Sequence, residues 1–264
     1  MPIAHVNKVD LYYEVHGEGE PILLLPGLGS DAGTWVPFLP DVTQYRAIIV
    51  ENRGCGRSSK PPDSYSVEIM AEDLADFMEH LSIQPAHVIG KSMGGMIAQV
   101  LGAKYPDKVR SLVLASTVMK NDSYGEELLE LGRIVAQKVG LFATFRQAFL
   151  LSYSREYCMT NRSRLQETEA LLKQIGSEEM LRGYIGQSMA CQNHDSRELV
   201  GKIKAPALVI VGREDIITPP EAAKDLAAAI PGAELMIFPR GGHGHWREFP
   251  QEVNPIVCNF LLRH

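Results

Sequence analysis

The chain alternates between short apolar runs and longer stretches in which apolar residues recur at helical spacing. Short continuous runs indicate strands buried on both faces of a parallel sheet, and helical spacing indicates helices that pack on that sheet. Residues 3–16 add a predicted hairpin that turns at Asn7-Lys8. The further predicted strands are 21–25, 46–50, 87–90, 109–115, 207–211 and 234–238.

The stretches between these strands predict helices. Residues 66–81 carry apolar side chains at helical spacing with acidic residues on the other face, and Ser66 is the predicted N-cap. Alternating strands and helices imply an α/β fold with a doubly wound, mostly parallel sheet. The remaining predicted helices of this part are 34–39, a helix that follows Ser92 and ends before Pro106, 220–230 and 253–262.

The alternation breaks between residues 120 and 198, where we find no strand pattern. We interpret 120–198 as a helical lid inserted over the carboxyl edge of the sheet, and 1–119 with 199–264 as the core. The lid is rich in aromatic residues and methionine, which predicts an apolar cavity beneath it, although most of these side chains are expected to pack the lid onto the core. The predicted lid helices are 123–139, 141–152, 162–175 and 177–191.

Composition and charge narrow the possible partners. At 264 residues, 45% hydrophobic and 22% charged, the chain has the make-up of an ordinary globular protein. Its net charge of −6 argues against nucleic acid, because phosphates require a basic surface. The N-terminal stretch does not follow the pattern of a signal peptide, and no apolar run approaches the roughly 18 residues of a membrane span. We expect a small-molecule partner, no membrane association, and a monomer or small homo-oligomer.

The cysteines indicate the compartment. They lie far apart, form no CxxC pair, and are interpreted as free thiols in a reducing cytoplasm. Cys55 lies in the glycine-rich loop 51–58, where no partner that would activate its thiol is identifiable, so a reactive role is not favoured. The four positions are Cys55, Cys158, Cys191 and Cys258.

The candidate nucleophile is Ser92, in the stretch Gly90-Lys91-Ser92-Met93-Gly94. A strand precedes it, a helix follows it, and the pattern is G-x-S-x-G. This pattern is typical of a serine that stands on a tight, strained strand-to-helix turn, where glycines two residues before and after it prevent a side-chain clash.

A serine nucleophile needs a base within hydrogen-bond reach and an acid that orients the base. Both should follow strands at the same edge of the sheet. Asp215 follows strand 207–211 and Gly212, and Glu214 is its rival. The candidate bases, His243 and His245, follow strand 234–238. A metal site at these histidines is not favoured, because no further ligand cluster completes a shell.

The order Ser, Asp, His, each after its own strand, is the order of α/β-hydrolases. The sequence resembles that superfamily over nearly its whole length. The motifs that carry the resemblance are Pro26-Gly27-Leu28-Gly29 with Trp35, the loop 51–58, Gly90-Lys91-Ser92-Met93-Gly94-Gly95, Gly212-Arg213-Glu214-Asp215 with Pro219, and Gly242-His243 with Glu248 and Pro250.

The resemblance implies roles for individual residues. It selects His243 as the base, since Glu248 and Pro250 follow at the family's spacing, and Asp215 as the acid. It implies an oxyanion hole formed by the backbone N–H groups of Leu28 and Met93. Pro26 stands where the family commonly has histidine, which is a departure at this loop. Loop 51–58 is interpreted as structural, and no cofactor or metal is expected.

The resemblance also suggests a reaction. A serine hydrolase that cleaves a carboxylic ester through an acyl-enzyme is expected, since the chain looks like small bacterial esterases and 3-oxoadipate enol-lactonases. The substrate is expected to be an apolar ester or a related carbonyl compound. Two alternatives stay open: hydrolysis of an enol-lactone or of a C–C bond from meta-cleavage of aromatic compounds, and a ligand-binding signalling protein of the same fold with little turnover.

Overall fold

The computed structural model describes residues 2–63, 65–83, 85–163, 166–167 and 178–264. Within these ranges the chain forms an eight-stranded sheet in the order β1-β2-β4-β3-β5-β6-β7-β8. The pairs β1–β2 and β2–β4 are antiparallel, and every other neighbouring pair is parallel. The strands are β1 (Ile3–Val6), β2 (Val9–His16), β3 (Glu20–Leu25), β4 (Tyr45–Val50), β5 (Ala86–Lys91), β6 (Val109–Ala115), β7 (Ala207–Gly212) and β8 (Glu234–Phe238).

The predicted strands and the predicted mostly parallel sheet are confirmed. The hairpin turn between β1 and β2 places Asn7 at φ 43° and Lys8 at φ 63°, the left-handed region that a tight two-residue turn requires. β7 is buried along its whole length, as its apolar run predicts for a central parallel strand.

Helices cover both faces of the sheet. The Ser66 hydroxyl accepts a 3.1 Å hydrogen bond from the N–H of Ile69, so the predicted N-cap of the first helix is confirmed. The helices are α1 (Val67–His80), α2 (Met93–Lys104), α3 (Ser123–Lys138), α4 (Leu141–Ser152), α5 (Arg155–Thr160), α6 (Glu178–Gln192), α7 (Pro220–Ala229), α8 (His245–Glu248) and α9 (Pro250–Leu261).

The prediction of a helix at 34–39 is wrong. Two short 3₁₀ turns, Ala32–Thr34 and Leu39–Asp41, stand there instead. Pro37 and Pro40 lack the N–H groups that a continuous α-helix would use. Asp31 is the N-cap of the first turn, and its side chain accepts a hydrogen bond from Gly33 N–H.

Two apolar cores lie on opposite faces of the sheet. α1, α2 and α7 pack on one face. α9 and the turns around Trp35 and Phe38 pack on the other, where Trp35 and Trp246 meet edge to face at 5.4 Å. No helix in the described ranges is both long enough and apolar enough to cross a bilayer.

Helices α3 to α6 lie in the chain between β6 and β7, where the sequence predicts only helices. The helices predicted at 123–139, 141–152 and 177–191 are confirmed, whereas α5 was not predicted. Most of the helix predicted at 162–175 lies outside the described residues. An isolated bridge between Lys120 and Asp195 joins the two ends of this segment.

Candidate active site

Ser92 stands on a strained turn between β5 and α2. Its backbone has φ 55° and ψ −120°, values that a residue with a side chain rarely adopts. A Cβ added to Gly90 would lie 2.2 Å from Gly94 O, and one added to Gly94 would lie 2.2 Å from Leu25 O. Both glycines are therefore required by close backbone approach. The clash at Gly90 is the one that the sequence pattern predicts, whereas the clash at Gly94 is with β3 and was not predicted.

Neighbouring elements hold this turn. Ser92 N–H donates to Ala115 O of β6 at 2.9 Å, and the Thr117 hydroxyl donates to Ser92 O at 2.9 Å. On the other side lies the loop after β3, where a Cβ on Gly27 would lie 3.2 Å from Ser92 Cβ. Strain at a serine that is held from both sides is a feature of functional sites.

Asp215 and His243 form a buried pair beyond the ends of β7 and β8. His243 Nδ1 lies 3.0 Å from Asp215 Oδ2 and 3.3 Å from Oδ1. Asp215 is 2% exposed, whereas its rival Glu214 is exposed. Burial opposes the charge of the Asp215 carboxylate, but His243 and Thr218 outweigh it and lower the pKa of this carboxyl to about 2.

Thr218 completes this pair and was missed in the sequence. Its hydroxyl donates to Asp215 Oδ2 at 2.8 Å, and its N–H and that of Ile217 donate to Oδ1 at 2.9 Å each. The signal available was an aspartate followed by a threonine three residues later, a spacing at which an Asp side chain often accepts from the backbone. The carboxylate is thereby held toward His243.

His245 occupies a different environment. It is fully buried, and its Nδ1 lies 3.4 Å from the Ser116 hydroxyl rather than beside Asp215. Its ring stacks on Phe238, and burial lowers its pKa to about 3. A buried imidazole that stays neutral is a poor proton shuttle near neutral pH. The geometry therefore favours His243 over His245 as the base, as the resemblance does.

The loop that carries His243 is tied to the helical segment. Gly244 N–H donates to Ser152 O at 2.7 Å, at the end of α4. Glu248 accepts from Ser154 N–H at 3.0 Å and from the Ser154 hydroxyl at 2.5 Å, at the N-cap of α5. These bonds give Glu248 a positional role, and nothing in the sequence pointed to Ser154 as its partner.

Ser92 and His243 line one cavity of about 400 Å³ with the loop after β3. Among the aromatic and methionine side chains between residues 120 and 198, which predict an apolar cavity, Phe145, Phe149 and Tyr153 line it, whereas Met159 and Met189 are exposed. Two cationic side chains, Lys91 and Arg247, lie in the same lining and were not anticipated.

The two residues predicted to supply oxyanion donors lie on different elements near Ser92. Met93 is the first residue of α2, where backbone N–H groups have no intrahelical acceptor. Leu28 lies in the loop after β3 and lines the cavity. The next residue, Gly29, donates its N–H to the Gln187 side chain of α6 at 2.9 Å.

The loop 51–58 forms a polar network. Arg53 pairs with Asp73 at 2.6 Å, with both side chains buried. The Ser58 hydroxyl donates to Glu51 O at 2.6 Å and accepts from Tyr12 N–H at 2.9 Å. Burial raises the pKa of the Cys55 thiol to about 12, so the thiol stays protonated at neutral pH. These contacts agree with a structural role for the loop.

Within the described residues no group of three or more His, Cys, Asp or Glu side chains is arranged to hold a metal ion. The polar groups at Ser92 instead comprise a strained hydroxyl, a carboxylate–imidazole pair and backbone donors. Such a set suits acyl transfer.

Known hydrolases are similar to the chain over nearly its whole length. The chain is 29% identical to a protein of Azorhizobium caulinodans named as a carbamate hydrolase, RutD, over 98% of each chain. The enol-lactonase from Burkholderia xenovorans LB400 superposes with a TM-score of 0.90 at 27% identity, covering 99% of this chain and 100% of that one. An α/β hydrolase enzyme, MGS-M2, from a Medee basin deep-sea metagenome library, superposes with a TM-score of 0.91 at 27% identity. The superposition covers 98% of this chain and 97% of that one.

The family model described as the alpha/beta hydrolase fold matches residues 20–245, which include the strands that carry Ser92, Asp215 and His243. That match covers most of the chain, and the sheet order and the strand-to-helix turn agree with it. The chain is therefore a hydrolase of the α/β-hydrolase fold family.

Proposed function

We propose that the protein hydrolyses a carboxylic ester bond of a small molecule through Ser92, His243 and Asp215. The observation that carries the proposal is that Ser92 and His243 line one cavity while Asp215 is buried and hydrogen-bonded to His243. The strained Ser92 follows β5, and the hydrogen-bonded pair of Asp215 and His243 follows β7 and β8.

The mechanism follows from the groups present. Ser92 Oγ attacks the carbonyl carbon while His243 Nε2 removes its proton. Asp215 accepts from Nδ1–H, fixes the tautomer and stabilises the imidazolium. The imidazolium then gives the proton to the leaving alcohol, and an acyl-enzyme remains. Water attacks the acyl group with His243 as base, which releases the acid and regenerates Ser92.

The N–H groups of Leu28 and Met93 are proposed to bind the oxyanion of each tetrahedral intermediate. One such donor contributes about 3–4 kcal/mol to the stabilisation of the transition state. Gly27 supports the assignment of Leu28, since it brings the loop to within contact distance of Ser92.

Helices α3 to α6 are proposed to act as a lid over Ser92. Phe145, Phe149 and Tyr184 of this segment line the cavity, which favours an apolar part of the substrate and excludes water from the acyl-enzyme. The proposed two parts are the core, 1–119 with 199–264, and the lid, 120–198.

A lactone is the second candidate substrate. The likeness to the Burkholderia enol-lactonase extends over the whole of both chains and favours it. A lactone is a cyclic ester, so the same residues would act, with the alcohol still tethered to the acyl group after ring opening.

Two assays in parallel test the proposal. Hydrolysis of 4-nitrophenyl esters from acetate to octanoate should be fast, and a fluorophosphonate should label the protein in proportion to the activity lost. Labelling without turnover would favour a ligand-binding signalling protein. Turnover confined to a dienone with a cleavable C–C bond would favour the meta-cleavage class. The absence of both labelling and turnover would refute the triad.

A further inference from the structure

Two cationic side chains beside Ser92 have no part in the acyl transfer described above. Lys91 precedes the nucleophile, and Arg247 lies in α8, four residues after His243. Both line the main cavity, and both also line a niche of about 120 Å³ that shares part of that lining.

No carboxylate neutralises this pair at ion-pair distance within the described part of the chain. The Arg247 guanidinium hydrogen-bonds the Tyr153 hydroxyl, which carries no charge, and the Arg247 Nε–H is buried without a hydrogen-bond partner. Asp215 attracts Lys91 electrostatically, but its oxygens are already bonded to His243 and Thr218. Two positive charges held at one cavity are unfavourable unless a bound ligand supplies a negative charge.

The rest of the niche adds donors and an apolar wall. Trp35 lines it, and the indole N–H of Trp35 is buried without a partner. Ser30 and Thr34 contribute hydroxyls, and Trp246 closes one side. Burial and the nearby charge of Arg247 lower the pKa of Lys91 to about 8, although the charge of Asp215 raises it. At neutral pH the Lys91 ammonium is therefore largely protonated.

We propose that the niche binds a carboxylate of the substrate, so that the protein prefers esters or lactones that carry a carboxylate a few bonds from the reacting carbonyl. The inference rests on the proposed function for the identity of the reacting bond. Lys91 and Ser92 line the same main cavity, so the ammonium and the hydroxyl can reach the same small molecule. The planar fork of an arginine matches a carboxylate.

The test compares 4-nitrophenyl hydrogen adipate with 4-nitrophenyl hexanoate, two esters of equal chain length that differ in one carboxylate. The wild-type kcat/KM should be at least tenfold higher for the adipate monoester. Lys91→Met and Arg247→Met should each lower the adipate-to-hexanoate ratio at least tenfold. Lys104→Met, at the other end of α2, is the matched control and should leave the ratio unchanged.

Binding to Ser92→Ala, measured by calorimetry, separates this inference from the proposed function. The adipate monoester should bind at least tenfold more tightly than the hexanoate even though this variant hydrolyses neither. Equal binding would overturn the proposal that the niche binds a carboxylate. Hydrolysis of both esters at equal rates would overturn it too and leave the ester hydrolase standing.

Thermal unfolding distinguishes a structural role of Lys91 from a role in binding the substrate. A half-buried cation that serves a ligand and has no ion-pair partner is expected to cost stability, so Lys91→Met should unfold at the same or a higher temperature than the wild type. A clear loss of thermal stability, together with an unchanged ester ratio, would show that Lys91 supports the fold and not the substrate.

Discussion

Gln187 of α6 joins two loops at the edge of the sheet. Its Oε1 accepts a 2.9 Å hydrogen bond from Gly29 N–H, and its Nε2 donates a 2.7 Å bond to Arg53 O. The side chain is fully buried. Gly29 follows Leu28, so Gln187 orients the loop that is proposed to supply one oxyanion donor, and we regard it as a positioning residue.

Replacing Gln187 by leucine should lower kcat about tenfold while KM changes little, because the oxyanion donor matters more in the transition state than in the ground state. The buried carbonyl of Arg53 would also lose its donor, at a cost of about 1–3 kcal/mol of stability. Steady-state kinetics on a 4-nitrophenyl ester and urea unfolding measure the two effects. Gln137→Leu on the exposed face of α3 is the control, and equal kinetics in the two variants would remove the positioning role.

The contacts of Asp215 predict a graded loss of activity. Asp215→Asn should lower kcat by a factor on the order of 10⁴, since an amide favours the wrong tautomer of the base. Thr218→Val removes one donor to the carboxylate and keeps its charge, so a loss of about tenfold is expected. Pre-steady-state acylation rates measure both, and a full rate in Asp215→Asn would exclude Asp215 as the orienting acid.

The same carboxylate predicts an acid-labile contribution to stability. The pKa of Asp215 is about 2 in the folded protein and about 3.8 in an unfolded chain, so the contribution is fully present above pH 4 and is lost as the pH falls toward 2. It amounts to about 2 kcal/mol. Urea unfolding of the wild type and Asp215→Asn at several pH values should show a stability difference that shrinks in this window; a constant difference would contradict it.

Much of the fold could be predicted because its signals are local. The apolar runs of β3 and β7 and the Ser66 N-cap each act through neighbouring residues, and Gly90 avoids a clash with the backbone of Gly94 in the same turn. The helix predicted at 34–39 failed because two prolines override weak helical spacing.

Chain order predicted that Ser92, Asp215 and His243 follow separate strands; in the structure Asp215 bonds His243, and His243 lines one cavity with Ser92. Long-range contacts were not predictable, because their partners are far apart in sequence. Gln187 lies 158 positions from Gly29, and Glu248 lies 94 from Ser154. Lys91 is adjacent to Ser92, yet its lack of an acidic partner becomes visible only once the folded surroundings are known.

Cys55 should behave as an inert thiol. Because its thiol is buried and its pKa is about 12, iodoacetamide at pH 8 should modify it far more slowly than a small-molecule thiol and rapidly only after denaturation. Peptide mass spectrometry measures the extent, and Cys55→Ala should retain turnover. Rapid native labelling of Cys55 with parallel loss of activity would show that loop 51–58 takes part in the chemistry.

The central claim is that an acyl group passes through Ser92. Rapid-quench mass spectrometry during turnover of a 4-nitrophenyl ester tests it most directly. We expect a peptide that carries Ser92 with the mass of one added acyl group, formed within the burst of nitrophenol. It should be absent from Ser92→Ala, which should not turn over. Undiminished turnover in Ser92→Ala, or an acyl group on another residue, would contradict it.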